Sequence, residues 1–200
     1  MYKVFVNDKP LFLTNQIEKE TDFQLFLLES VDIEQLIIKM YQNKIQKANL
    51  YFPDEKAILK KLKEKIPVCK AGGGLVYNKN GEVLFIKRNG KWDLPKGGKE
   101  KGEKMKLTAM REVEEETGVN GLEIVRKLQK TYHIFQRNGK YKLKVTHWFE
   151  MKTDFEGETT PQKEEGIKKA VWLNPEEIKK AMNNSYENIK LLFEEEKLLE

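Results

Sequence analysis

Four glutamates occur within positions 112–116 of this 200-residue chain. The surrounding pattern predicts a helix over about 104–117. At about 100° per residue, Glu112, Glu115 and Glu116 fall within one sector of that helix. Carboxylates held so close repel one another unless a cation joins them, and oxygen ligands of this kind suit Mg²⁺. The helix therefore predicts a divalent-metal site, with a solvated acidic face paired to lysines as the alternative.

The same helical projection assigns a core-facing side to this helix. Leu107, Met110 and Val113 fall roughly opposite the three carboxylates, which predicts an apolar back packed on the core. Thr108 and Ala109 share the carboxylate side, and their small size predicts open space above the acidic cluster. The expected arrangement is a metal-binding front and a buried back.

A longer pattern surrounds the acidic cluster. Gly97 is followed after five residues by Glu103, and seven further residues lead to Arg111 and the segment REVEEETGV. Nine fixed or restricted positions across 97–119 make this pattern far more specific than a lone glycine motif. The pattern matches the Nudix box, and the chain resembles the Nudix hydrolases over about residues 68–180.

The resemblance implies an α/β/α sandwich with a mixed sheet, here preceded by a small α+β domain. It implies hydrolysis of a nucleoside diphosphate linked to another group, with Mg²⁺ or Mn²⁺ as cofactor. By position, it implies that Glu112, Glu115 and Glu116 hold the metal. Arg111 is implied to orient a box glutamate, and Glu103 is a fixed position that precedes the helix or supports the loop. Glu115, Glu116, Arg111 and Glu103 are thus the candidate catalytic residues.

The general base varies within the family, and several carboxylates are candidates for it. Glu115 and Glu116 lie in the box, while Glu164 and Glu165 lie in a later loop where some members place an extra carboxylate. A charged surface loop is the alternative for the second pair. The candidate substrate-binding residues are Gly97, Gly98, Lys96, Arg88, Lys142 and Lys144.

The charge distribution favours a substrate with several phosphates. The chain carries 37 Lys and Arg against 32 Asp and Glu, a formal net charge of +5. Residues 124–149 carry seven cations and no acid, which favours polyanions; a solvated lysine-rich strand face is the alternative. Lys142 and Lys144 alternate onto the face of Trp148, which predicts either a base-stacking side chain or a partly buried aromatic.

Two units are predicted along the chain, a small α+β domain over 1–67 and the box domain over 68–200. In the first, short strands alternate with two helices that begin after Val31 and Phe52, and these helices predict a packing or dimerisation element. In the second, Asn80-Gly81 predicts a hairpin with a type I′ turn, and Asn138-Gly139 predicts the turn of a second hairpin. The predicted strands are 2–6, 10–14, 22–28, 49–52, 68–77, 82–88, 131–136, 140–151 and 171–173.

Composition excludes several classes of protein. No apolar run approaches the roughly 18–20 residues of a membrane-spanning helix. The N-terminal segment lacks the apolar core of a signal peptide, and the lone Cys69 forbids a disulfide within the chain. These features favour a cytoplasmic protein.

Two other functions compete with a metal-dependent hydrolase of phosphorylated small molecules. One is a Nudix module that senses a nucleotide without catalysis, but every acid of the box is present. The other is an RNA 5′-end pyrophosphohydrolase. The net charge of +5 permits RNA as a partner, yet no RNA-binding element is evident outside the box domain, so RNA is not the favoured substrate.

Overall fold

A computed structural model describes residues 1–17 and 23–198. The chain divides into two compact units, which are named here by their residues. Unit 1 is Met1–Cys69 with Tyr132–Val145, and unit 2 is Lys70–Thr131 with Thr146–Glu200. The predicted domain boundary at residue 67 stays a prediction, and the structure adds the tip of the second hairpin to unit 1. None of the helices in the described residues is both long and apolar enough to cross a membrane.

Unit 1 is built from short strands and two helices. Strands β1 and β2 are antiparallel, β4 runs parallel to both β2 and β3, and β1 runs parallel to residues 132–134. Its elements are β1 (Tyr2–Val6), β2 (Lys9–Thr14), β3 (Gln24–Leu27), α1 (Ile33–Tyr41), β4 (Ala48–Tyr51) and α2 (Glu55–Lys65). Asp22, where the third strand was predicted to begin, lies outside the described residues.

Both helices of unit 1 begin where the sequence predicts. The Asp32 carboxylate accepts from the amide of Gln35, and the Asp54 carboxylate accepts from the amides of Lys56 and Ala57. These contacts satisfy donors that a helix N-terminus leaves unpaired. The apolar sides of α1 and α2 then pack on one face of the strands, in a core that includes Val4, Val6, Leu11, Leu13, Leu36, Ile37, Leu50, Ile58, Leu62 and Ile134.

Unit 2 is a mixed sheet between two layers of helices. Its elements are β5 (Val68–Tyr77), β6 (Val83–Arg88), β7 (Lys91–Asp93), β8 (Lys96–Gly98), α3 (Met105–Thr117), β9 (Glu123–Arg137), β10 (Lys140–Lys152), β11 (Ile167–Leu173), α4 (Pro175–Met182) and α5 (Glu187–Glu195). The central strands follow the order β11-β6-β5-β10, with β7 on β6 and β8 on β5. The ends of β5, β9 and β10 contribute residues to unit 1.

Alternation along these strands divides the core of unit 2 into two clusters. Leu75 and Phe85 pack with α4 and α5, whereas Val76 and Leu84 pack with α3. Successive strand residues point to opposite faces, so each face receives its own helices. The predicted α/β/α sandwich with a mixed sheet is confirmed.

Helix α3 faces its sheet with only part of the predicted apolar side, since Val113 is fully buried in the core as expected but Leu107 is not. Leu107 is 55% exposed, while Thr108 and Ala109 are fully buried. A Cβ on Gly72 of β5 would lie 2.8 Å from the Ala109 amide nitrogen, so helix and strand backbones are in close contact here. The predicted apolar back at Leu107 is wrong because small residues, and not the most apolar ones, permit this approach. The open space predicted above Ala109 is occupied by β5, and Thr108 is buried as well.

Gly72→Ala is expected to lower the free energy of unfolding by about 1–3 kcal/mol, since its methyl group would press on the helix backbone. Chemical denaturation monitored by circular dichroism measures this change. Gly98→Ala is the matched control for stability, because nothing lies within 4 Å of its added Cβ. Equal stability of the two variants would contradict the close helix–strand contact.

The two Asn-Gly turns differ, and the second hairpin is longer than predicted. Asn138 and Gly139 both have positive φ, at 51° and 72°, as a type I′ turn requires. At the first hairpin only Gly81 has positive φ, so the type I′ prediction is wrong there, although the hairpin exists. Strand β9 begins at Glu123, eight residues before the predicted start.

Trp148 is fully buried in the core that contains α4 and α5, and its indole N–H donates to the hydroxyl of Thr131 at 2.9 Å. The base-stacking prediction for this side chain is therefore wrong, and the partly buried alternative underestimates its burial. The next residue, Phe149, is buried in the core that contains α3, so this part of β10 has core on both faces. A helix layer on each side of the sheet removes the solvent-facing side that alternation alone predicted.

Candidate active site

The guanidinium of Arg111 lies at the centre of a carboxylate cluster on α3. One terminal nitrogen, Nη1, donates to Glu112 Oε1 and Glu115 Oε2, both at 2.8 Å. The other, Nη2, donates to the carbonyl of Gly98 at 3.0 Å. Glu112 and Glu115 lie one and four positions after Arg111, where its side chain can reach both on a helix. Arg111 therefore fixes two of the three predicted metal ligands, and its bond to Gly98 joins them to strand β8.

Glu103 holds Arg111 from the other side. It accepts from Arg111 Nε at 2.9 Å and Nη2 at 3.1 Å, a bidentate pair. Its carboxylate also accepts from the Thr108 hydroxyl at 2.7 Å and from the Glu100 amide at 3.1 Å. Hydrogen bonding to Arg111, then to Thr108, lowers the pKa of Glu103 to about 2. Glu103 precedes α3, and these contacts make it a positioning residue for Arg111.

Glu103→Gln is expected to make the stability of the protein less dependent on pH. The lowered pKa of Glu103 means that its carboxylate stabilises the fold above its ordinary pKa, and that this contribution disappears as pH falls toward about 2. The variant should unfold more readily than wild type near neutrality, and the difference should narrow below about pH 5. Urea titrations across this range measure it. Glu114→Gln, at an exposed position of α3, controls for net charge; a difference that stays constant with pH would contradict the ion pair.

Glu116 is the most buried acid of the cluster, with 2% of its surface exposed. The amide of Lys96 donates to Glu116 Oε2 at 2.8 Å, and Arg88 Nη1 lies 3.6 Å from Glu116 Oε1. Burial raises the pKa of Glu116 to about 7, against the opposing effect of Lys96. A buried carboxylate with a raised pKa and a specific cation nearby is typical of a functional site.

The lack of a side chain at Gly97 leaves room for the carboxylate of Glu112. A Cβ on Gly97 would lie 1.8 Å from Glu112 Oε2, so any other residue type would collide with the carboxylate. Gly97 pairs with Gly72 across strands β8 and β5, and this pairing fixes the loop backbone against the sheet. Burial raises the pKa of Glu112, although Arg111 opposes the shift.

The later loop brings one of its two acids to the cluster. Its backbone bonds to the end of α3, from Thr160 N to Thr117 O and from Gln162 N to Glu116 O. Glu165 then accepts from Arg88 Nη2 at 3.1 Å, so Arg88 lies between Glu116 and Glu165. Within the described residues, no hydrogen bond or ion pair links Glu164 to this cluster.

Asp93 is a part of the site that the sequence analysis missed. It is buried, it accepts from the Leu94 amide at 2.8 Å, and it forms a close ion pair with the ammonium group of Lys96. The Lys96 side chain therefore has a partner within the protein, while its amide positions Glu116. The only sequence signal was an acid two residues before the proline of the LPKGG segment.

Lys142 and Lys144, the other predicted substrate contacts, belong to unit 1, whereas the carboxylate cluster belongs to unit 2. The Lys144 ammonium lies 4.7 Å from the ring centroid of Phe135. A role for either lysine in substrate binding stays a prediction.

The oxygen ligands of the cluster suit a divalent cation better than the arrangement of its side chains does. In residues 1–17 and 23–198, no group of three or more His, Cys, Asp or Glu side chains is close enough to hold a metal. Arg111 lies between Glu112 and Glu115, and Glu116 is turned toward Lys96 and Arg88. Yet Glu115 and Glu165 both raise the pKa of Glu112, which places several oxygen donors within electrostatic range. A hard cation would relieve this repulsion.

The NUDIX domain family matches residues 70–193. The chain is 30% identical over 103 residues to the RNA pyrophosphohydrolase of Sphingopyxis alaskensis, a match that covers 44% of this chain and 65% of that protein. It is 33% identical over 102 residues to the RNA pyrophosphohydrolase of Pelagibacter ubique, over 45% of this chain and 65% of that protein. The chain thus spans slightly less than two thirds of the length of these relatives.

Two solved structures share the fold. The MutT protein of Methanosarcina mazei Go1 superposes with a TM-score of 0.51 and 23% identity, over 65% of this chain and 93% of that chain. The NUDIX domain of Shewanella oneidensis NrtR, solved with ADP ribose, gives a TM-score of 0.51 at 16% identity, over 74% of this chain and 99% of that chain. At these identities the likeness concerns the fold alone.

Proposed function

Because this chain belongs to the Nudix family, we propose that it hydrolyses a phosphoanhydride bond in a substrate that contains a nucleoside diphosphate. The proposal includes a divalent cofactor, Mg²⁺ or Mn²⁺. The observation that carries it is the carboxylate cluster on α3, in which Arg111 and the β8 backbone hold the acids in fixed positions. Buried acids with raised pKa values are costly for the fold, which supports a chemical role for them.

Glu112, Glu115 and Glu116 are the residues proposed to hold the cation. When bound, the cation supplies charge neutralisation at phosphate oxygens and activation of a water. The remaining groups orient these acids. Arg111 restrains Glu112 and Glu115, while the Lys96 amide restrains Glu116. Such restraint supports catalysis because the acids need not reorganise during the reaction.

The general base is proposed to be one of three carboxylates. Glu115 is about half exposed, Glu116 is buried, and Glu165 is about half exposed and beside Arg88. A base must reach a water near the substrate phosphorus, so an accessible carboxylate is favoured by geometry. Arg88, between Glu116 and Glu165, is proposed to bind substrate phosphate, as a guanidinium can do with two parallel hydrogen bonds.

RNA with a 5′-polyphosphate is the second candidate substrate. It is favoured by the two curated relatives above, whose names describe RNA pyrophosphohydrolases and which are 30% and 33% identical to this chain. Both matches cover only part of each protein, so the substrate does not transfer with the family. The chemistry at the carboxylate cluster is the same for either substrate, since both contain a phosphoanhydride.

A substrate panel tests the proposal. Dinucleoside polyphosphates, ADP-ribose, nucleoside triphosphates, diphosphoinositol polyphosphates and 5′-triphosphorylated RNA are each incubated with Mg²⁺, Mn²⁺ or EDTA, and released phosphate products are resolved by chromatography. We expect turnover of at least one substrate with metal and none with EDTA. The Glu116→Gln protein, prepared identically, reports contaminating hydrolase. Binding of a nucleotide without turnover under every condition would instead indicate the sensing module.

A further inference from the structure

The strands of unit 1 have a second face, opposite the one covered by α1 and α2. Val4, Leu11 and Ile134 point into the helix-covered core. Their neighbours along each strand therefore point the other way. The pairing of Lys3 with Phe12 and of Phe5 with His133 sets these outward residues side by side. We name this surface the aromatic face; its partly exposed members, around the buried ring of Phe5, are Lys3, Phe12, His133, Phe135, Lys142 and Lys144.

Aromatic rings and lysines alternate closely on the aromatic face. The Lys3 ammonium lies 5.7 Å from the ring centroid of Phe5 and 5.6 Å from that of Phe12. The rings of His133 and Phe135 are nearly parallel, at 21°, with centroids 6.3 Å apart. Phe12, His133 and Phe135 are partly exposed, so flat ring surfaces reach the outside of the sheet.

The strand segments that form this face carry charge of one sign. None of the strand segments of unit 1 contains an Asp or Glu, counting β1 to β4, residues 132–137 and residues 140–145. By sequence, unit 1 has 15 Lys and Arg against 10 Asp and Glu, whereas unit 2 has 22 of each. The whole formal net charge of +5 therefore belongs to unit 1. A ligand that matches this face is an anion with flat apolar groups.

We propose that the aromatic face of unit 1 binds single-stranded nucleic acid. Unpaired bases stack on the rings of Phe12, His133 and Phe135, and the backbone phosphates contact Lys3, Lys142 and Lys144. Aromatic side chains beside cations on an open sheet are a general means of holding single strands without reading a fixed sequence. This inference goes beyond the proposed hydrolysis, because it assigns a binding function to a surface that contains none of the box residues.

Binding of a labelled oligonucleotide to the full chain tests the proposal. The probe is a twelve-nucleotide RNA with a 5′-hydroxyl and a 3′-fluorescein, followed by fluorescence anisotropy in EDTA. It contains no phosphoanhydride, so failure of the hydrolase proposal leaves this measurement unaffected. We expect saturable binding that weakens with salt. Absence of binding at low salt would overturn the proposal.

Two variants of the aromatic face separate stacking from charge. Phe135→Leu keeps apolar volume and removes the ring, and it should weaken binding about fivefold or more. The double variant Lys142→Gln with Lys144→Gln should lower the slope of log affinity against log salt by roughly 1.4, about 0.7 for each phosphate contact. Unchanged thermal midpoints establish that both proteins fold.

The matched control removes the same charge from another surface of unit 1. Lys56 and Lys60 are exposed on α2, on the opposite side of the strands from the aromatic face, and their double change to Gln should alter affinity less than about twofold. Equal losses from the two double variants would overturn the assignment to the aromatic face, as would unchanged affinity of Phe135→Leu.

Other nucleic acids identify which strands the face accepts. Double-stranded RNA of equal length should bind more weakly, because its paired bases cannot stack on protein rings. Equal binding of the duplex would overturn stacking as the basis of recognition. Single-stranded DNA of the same length shows whether the aromatic face prefers RNA. Tighter binding of RNA than of DNA would assign a role to the 2′-hydroxyl group, and equal binding would assign the face to single strands of either kind.

Discussion

Glu116→Gln is expected to lower kcat by more than about 100-fold while the protein stays folded. Mutation of a residue that only hydrogen-bonds to a metal ligand costs about 10–100-fold, so neutralising a ligand itself should cost more. The variant retains the size of the side chain, and its amide oxygen can still accept from the Lys96 amide. It removes the negative charge that the proposed cation needs. Burial already disfavours this charge, so its neutralisation should cost the fold little.

The measurement is steady-state turnover of whichever panel substrate is cleaved, with Mg²⁺ varied from below to above saturation. Glu114→Gln is the matched control, since it makes the same change on the same helix at an exposed position away from the cluster. It should retain turnover close to wild type. Near-wild-type turnover by Glu116→Gln, with normal circular dichroism, would reject the proposed metal site.

The periodicity of α3 explains both what the sequence predicted and what it could not. A helix within one residue of the predicted bounds follows from the pattern and from Gly118, whose φ of 74° suits a helix end. The side of α3 that meets the sheet depends on another element, since the lack of a side chain at Gly72 on β5 lets the backbones approach. A projection of one helix contains no information about its partner strand, so Leu107 was assigned to the wrong side.

In the site, too, contacts between residues close in sequence could be predicted, whereas contacts between distant residues could not. The Arg111 pairs within α3 are four residues apart or fewer and follow from helix geometry. The ion pair of Lys96 with Asp93 is also local, but a buried aspartate in a loop has no distinctive pattern. Glu165 joins Arg88 across 77 residues, and this contact depends on where the loop bonds to α3.

The aromatic face illustrates the strongest limit on prediction from sequence. The basic stretch was visible as seven cations without an acid, and a lysine-rich strand face was one of its two readings. Two of its aromatic residues, Phe5 and Phe12, come from β1 and β2, more than a hundred residues earlier in the chain. Only the parallel pairing of Phe5 with His133 places both segments on one surface. Strand pairing at this separation has no local signal.

Gly97→Ala is expected to lower kcat by about 100-fold, the scale of loss when a catalytic group is displaced by about 1 Å. The added Cβ would lie 1.8 Å from Glu112 Oε2 and 2.2 Å from its carboxyl carbon. The colliding atoms are at the free end of a side chain, so the carboxylate can move and the backbone can stay in place. The variant should therefore fold with a thermal midpoint near that of wild type.

Metal binding distinguishes this cause from a general loss of activity. If Glu112 is displaced, isothermal titration with Mn²⁺ should show weaker binding, and excess metal should restore part of the turnover. Gly98→Ala is the neighbouring comparison for metal affinity, because its Cβ meets nothing within 4 Å. Its affinity for Mn²⁺ should match wild type. If Gly97→Ala bound Mn²⁺ as tightly as Gly98→Ala, Glu112 would not be a metal ligand, and the close contact with Gly97 would have only a structural role.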